Sequence, residues 1–108
     1  MPTIKLSPKQ AKWKKDDEAA RERIREAIGE ENSKAILFDG YEQAFIGVSH
    51  RYGQPPLVVY SYRKCIEINM KRDDMSYTEA VEWFEYNAMR TWAGKHTPII
   101  LQDMNVGN

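Results

Sequence analysis

The segment from Ser76 to Gly94 spells out a helix with both of its ends, and it limits what the rest of a 108-residue chain can build around it. Ser76 stands as an N-cap, with Glu79 three residues later to complete a capping box, and Met75 and Ala80 occupy the positions of a hydrophobic staple. Tyr77, Ala80, Val81, Phe84, Ala88 and Trp92 recur at helical spacing along one face, and Gly94 follows the last of them as a stop signal. A helix with such a stripe must bury it against another layer. The flanking segments are too short for separate domains, so that layer has to come from the same domain.

The preceding segment supplies strands. Residues 44–48 and 57–60 are short β-rich runs joined by His50-Arg51-Tyr52-Gly53-Gln54-Pro55-Pro56. Gly53 and the two prolines mark a hairpin whose loop is longer than two residues. Ser61 then caps a second helix over residues 62–72, with Tyr62, Cys65, Ile66, Asn69 and Met70 on its inner stripe and Asp73-Asp74 as its break. Thr97-Pro98-Ile99-Ile100-Leu101 reads as a final edge strand. Residues 35–38 fit either a short strand or an extension of the connection before them.

The first third has a different texture. Ser7-Pro8-Lys9-Gln10 opens a charged helix that runs to Gly29. Its apolar face is thin (Trp13, Ala20, Ile24, Ala27 and Ile28), which predicts a docked C-terminal half and an N-terminal half that projects or meets a partner. The expected architecture is α+β. A small antiparallel sheet, made of the hairpin and the C-terminal strand, is packed by two or three helices over residues 35–101. Residues 1–34 form the charged helix and its connection, and residues 102–108 a flexible tail.

Sixteen basic and sixteen acidic residues cancel, which excludes a global field steering the chain toward nucleic acid or an anionic membrane. The longest apolar run, residues 55–60, falls far short of the roughly 20 residues of a bilayer span, and the first residues lack the apolar core of a secretory signal. Cys65 is the sole cysteine, so no internal disulfide forms. Together these features predict a cytoplasmic protein with no membrane partner.

Candidate chemistry is sparse. Glu79, Glu82 and Glu85 lie at spacings of three, but the Glu-x-x-His pairs of a carboxylate-bridged metal site are missing, and acidic residues early in a helix complement its dipole. His50 and His96 sit in loops, and only a fold that joined those loops would make a metal or phosphate site of them. Cys65 falls on an inner helical stripe and reads as a small buried hydrophobe. Gly-rich phosphate loops, zinc-ligand spacings and nucleophile elbows are absent, so no catalytic residue, metal or cofactor is expected. Two surfaces remain. Lys9, Lys12 and Lys15 with Trp13 form a basic cluster around an aromatic, suited to a nucleic-acid backbone and a stacked base. Trp83, Tyr86 and Arg90 form a second stripe on the third helix, of the residue types that anchor interfaces; the same stripe would also suit packing against the sheet or the first helix.

Residues 39–101 resemble a group of small proteins of unassigned activity from bacteriophages and bacterial genomes. The likeness rests on Tyr41-Glu42-Gln43-Ala44-Phe45-Ile46-Gly47-Val48, on Arg51-Tyr52-Gly53, and on Val59-Tyr60 leading to Lys64, Ile66 and Glu67. It is closest from Met75 to Asn87, followed by Thr97-Pro98. This chain has Asp73-Asp74 where the group has an aspartate–glycine turn, and Met89-Arg90-Thr91 where the group is richer in small residues. The resemblance implies a phage or prophage setting and carries over no catalytic role. The resulting expectation is a non-enzymatic interaction protein that binds a host or phage macromolecule in the host cytoplasm, as a small modulator or inhibitor of host machinery. Its partners would be a host or phage protein or a second copy of the chain. The alternative is a nucleic-acid-binding accessory protein that uses the basic first helix.

Overall fold

The computed structural model describes residues 1–5 and 14–104. In chain order these form β1 (Thr3–Lys5), α1 (Lys14–Ile28), β2 (Leu37–Asp39), a single 3₁₀ turn (Glu42–Ala44), β3 (Phe45–Arg51), β4 (Gln54–Ser61), α2 (Tyr62–Arg72), α3 (Tyr77–Phe84) and β5 (Ile99–Leu101). A π-helical turn, Glu85–Met89, continues α3. The fold is α+β. β1 and β2 pair in parallel as a two-stranded sheet, and β3-β4-β5 form a second sheet in that order. The hairpin pairing of β3 with β4 is antiparallel, as expected. β5 is an edge strand, also as expected, but it runs parallel to β4.

The hairpin turns more tightly than its prolines imply. Arg51 pairs with Gln54, so only Tyr52 and Gly53 form the loop, and Pro55 and Pro56 lie within β4. β4 tolerates them because β5 pairs only with Val59–Ser61, which leaves the proline end of β4 without a neighbour on that side. Lacking N–H groups to offer, the prolines coincide with a register shift between Ser49 and Arg51.

One core joins the two sheets and all three helices. Ile24 and Ile28 of α1 meet Leu37 and Phe38 of β2, Val58 and Tyr60 of β4, Cys65 of α2 and Phe84 of α3. Phe38 and Tyr60 stack at 5.5 Å, and the Phe38 amide donates to the Tyr60 hydroxyl at 3.0 Å, which ties β2 to β4. Ala20, Ile24 and Ile28 are buried at four-residue spacing, so α1 docks along its C-terminal half as its sequence predicts; Ala27 faces solvent.

The starts of α2 and α3 agree with the sequence, while the expected Ser7 start of the first helix lies outside the described residues. The Ser61 hydroxyl accepts from the Lys64 amide at 3.2 Å, and Ser76 and Glu79 form a reciprocal capping box. The end of α3 does not. The expected helix reaching Trp92 gives way to the π turn after Phe84, and the chain leaves helical geometry around Arg90. A π turn takes in an extra residue, so the periodicity that places Ala80, Phe84 and Ala88 in the core no longer applies to Trp92. Trp92 is 76% exposed, and Tyr77, at the other end of the expected stripe, is 64% exposed. Gly94, expected as the helix stop, instead has φ +96° in a turn that the Thr97 hydroxyl closes by donating to the Gly94 carbonyl at 2.6 Å.

Candidate functional site

The turn from Asp39 to Gln43, between β2 and β3, gathers most of the buried charge. Glu42 is fully buried. Its carboxylate accepts from the Gly40 amide at 2.8 Å and from Arg21 Nη2, which also donates to Asp39 Oδ1 at 2.8 Å. Burial pushes the Glu42 carboxyl upward, against the opposing pull of Arg21 and the Gly40 amide. Arg72 enters from the end of α2. It donates to the Gly40 carbonyl, pairs in bidentate fashion with Asp73 at 3.1 Å, and lies 5.2 Å from the Tyr41 ring centroid. The Tyr41 hydroxyl donates to Asn69 Oδ1 at 2.6 Å, and Gln43 donates to Asp17 Oδ1 at 2.8 Å. Among the described residues only Arg21 Nε lacks a partner of the buried side-chain nitrogens and oxygens. Apart from that one nitrogen the network is satisfied, and it clamps α1 and α2 onto the turn and leaves little free for a substrate.

The second stripe of α3 is split by the structure. Trp83 is half-buried against the core. Tyr86 and Arg90 face outward, with the Arg90 guanidinium 5.1 Å from the Tyr86 ring centroid. Beside them lies an open groove of about 700 Å³ between α2, the start of α3 and the residues after β5, which the sequence analysis did not single out. Ile66, Met70, Met75 and Tyr77 line it together with Arg63 and Lys71. The Tyr62 hydroxyl, pushed up to about 12 by burial and by the Glu85 carboxylate, donates to Glu85. Since Tyr62 lines the groove and Glu85 neighbours Tyr86 and Arg90 around a shallower depression, that bond joins the two into one face. Met70 was expected on the inner stripe of α2; it lines this groove, partly exposed. The signal available in sequence was the pair of methionines flanking the Asp73-Asp74 break.

The remaining candidates are placed apart or consumed. Lys9, Lys12 and Trp13 lie outside the described residues; Lys15 is exposed at the start of α1 beside the exposed Asp16. His50 lies in β3 and His96 precedes β5, the two strands that flank β4 on opposite sides. His96 Nδ1 is 3.1 Å from Asn32 Nδ2. The Asn32 amide is oriented by its donation to the Pro56 carbonyl and by the Lys34 amide on its oxygen, so His96 Nδ1 acts as the acceptor. No group of three or more metal-ligating side chains occurs among the described residues. Burial pushes the Cys65 thiol up, which keeps it protonated and a poor nucleophile. Glu79 closes the capping box, and hydrogen bonds from Ser76 hold its carboxyl below the usual range. Among the described residues no helix is long and apolar enough to cross a membrane.

Comparison with protein-family models, with curated protein sequences and with solved structures gives no match to this chain.

Proposed function

We propose that this chain is a non-enzymatic interaction protein that binds a protein partner through the α2–α3 face. The observation that carries the reading is a contrast. The buried ionisable groups are spent on one another in the Arg21–Glu42 and Arg72–Asp73 network, while α2 and α3 hold between them an open groove lined by Ile66, Met70 and Met75. Methionine side chains repack readily around an inserted apolar side chain, and Tyr86 with Arg90 extends the groove by the residue types that anchor interfaces. The resemblance of residues 39–101 to phage-encoded proteins supports a host or phage protein as the partner and modulation of host machinery as the outcome.

Site-specific photocrosslinking in host cells tests the reading. A photoreactive phenylalanine at Met70 or at Tyr86 should trap the same discrete protein, and Met75→Glu should abolish both adducts. A probe at the exposed Ala19 of α1 should not trap it. Identical adducts from all three positions would discard this face. The alternative, nucleic-acid contact through Lys9, Lys12, Trp13 and Lys15, rests on the sequence cluster alone.

A further inference from the structure

The β3–β4 tip carries a large side chain that serves neither core nor turn. Of the two loop residues, Gly53 takes the left-handed position at φ +73°, where a side chain would be strained. Tyr52 takes the other, without a positive φ, a place where proline would help the turn and tyrosine does not. Its relative exposure is 106%, the highest of the exposed large hydrophobics among the described residues. Arg51 beside it is exposed and belongs to none of the ion pairs among the described residues. His50 is exposed as well.

The hairpin itself carries no acidic side chain. Sixteen of 108 residues are acidic, yet residues 43–66 contain no aspartate or glutamate. The contact of Asn32 with Pro56 and His96 brings the loops around residues 30–36 and 93–98 to the same end of the sheet. They add exposed Lys34 and Lys95, set against Glu30 and Glu31.

We propose that this tip is a contact element for single-stranded nucleic acid, in which Tyr52 stacks on a base and Arg51 pairs with an adjacent phosphate. A base offers a π-face whatever its identity, and the phosphate supplies the opposite charge. An acidic protein surface would answer Arg51 alone, whereas a nucleotide answers both side chains. The surface is separate from the α2–α3 face.

Fluorescence anisotropy with a labelled twelve-nucleotide oligothymidylate and a duplex of equal length, at 50 and 200 mM NaCl, tests it. The single strand should bind in the range of ordinary non-specific complexes, about 10⁻⁴–10⁻⁶ M, and more weakly at the higher salt. Tyr52→Ala should weaken binding by about tenfold at both salts, and Tyr52→Phe should retain it. Arg51→Ala should lower the salt slope by about one phosphate contact. Circular dichroism melts of all three variants should overlay the parent, because both side chains are exposed. No binding at 50 mM salt, tighter binding of the duplex, or binding that Tyr52→Ala leaves unchanged would each overturn the proposal.

Discussion

Replacing Phe84 with alanine should be the most damaging single truncation in the molecule. The ring is fully buried and meets Tyr41 edge-on at 5.5 Å and Tyr62 at 6.0 Å. Phe→Ala in a packed core costs about 3–5 kcal/mol, and the cost depends on how far the neighbours can collapse into the space. Here both neighbours are held by their hydroxyls: Tyr41 by Asn69 at 2.6 Å and Tyr62 by Glu85. Tyr41 is also covered by Arg72. Neither ring can follow the vacancy without breaking a hydrogen bond, which places the loss at the upper end, about 4–5 kcal/mol. Total stability for a domain of this size is about 5–15 kcal/mol, so the variant retains a thin margin. With a urea slope of about 1.5 kcal/mol per molar, the midpoint should fall by about 3 M in equilibrium unfolding followed by far-ultraviolet circular dichroism. Phe84→Leu, which keeps apolar volume, should lose only about 1–1.5 kcal/mol. A midpoint shift below 1 M for Phe84→Ala at unchanged slope would refute the claim that the neighbouring rings are pinned.

Other expectations follow from the same geometry. Trp92→Ala should stay within about 0.5 kcal/mol of the parent in the same urea assay, since its ring is largely in solvent. Asp74 sits at φ +56°, and Asp74→Gly should raise stability by about 0.5 kcal/mol once the greater freedom of unfolded glycine is subtracted; a lowered melting temperature would contradict this. Ser76→Ala removes the acceptor of the capping box and should cost about 1 kcal/mol by thermal unfolding. Burial raises the Asp17 carboxyl. Its folded state therefore holds a proton to higher pH than its unfolded state, and this contribution is fully present below the unfolded value near 4 and is lost as pH rises through the folded value. Asp17→Asn, which keeps an acceptor for Gln43, should raise the melting temperature at pH 7 and flatten its dependence on pH across the carboxylate range. An unchanged pH profile would count against that cause.

What could be read in advance was local. The Ser61 cap, the Ser76–Glu79 box and the two β-rich runs each depend on residues a few positions apart, and each is present. What escaped was set by distant partners. Nothing in Thr3–Lys5 announces a strand until Leu37–Asp39 lies beside it, and the parallel direction of β5 depends on how the chain returns after α3. Arg72, at the basic end of a helix, is absent from the inner stripe read in the sequence; it is buried because Asp73, the Gly40 carbonyl and the Tyr41 ring surround it. The groove escaped for a similar reason, since Met70, Met75 and Tyr77 line one cavity only after the Asp73-Asp74 turn folds α3 back beside α2.

The widened turn at Glu85–Met89 also bears on how this protein tolerates insertions and deletions. It holds a residue more than α-helical winding needs, and each helical residue advances the chain by about 100°. Loss of one residue there could be absorbed by rewinding to ordinary helix, with Ala80 and Phe84 left in place upstream. Arg90 would then swing by about a quarter of a revolution around the axis. A change of chain length, with no change of side-chain type, would thereby redirect the outer surface of this arm.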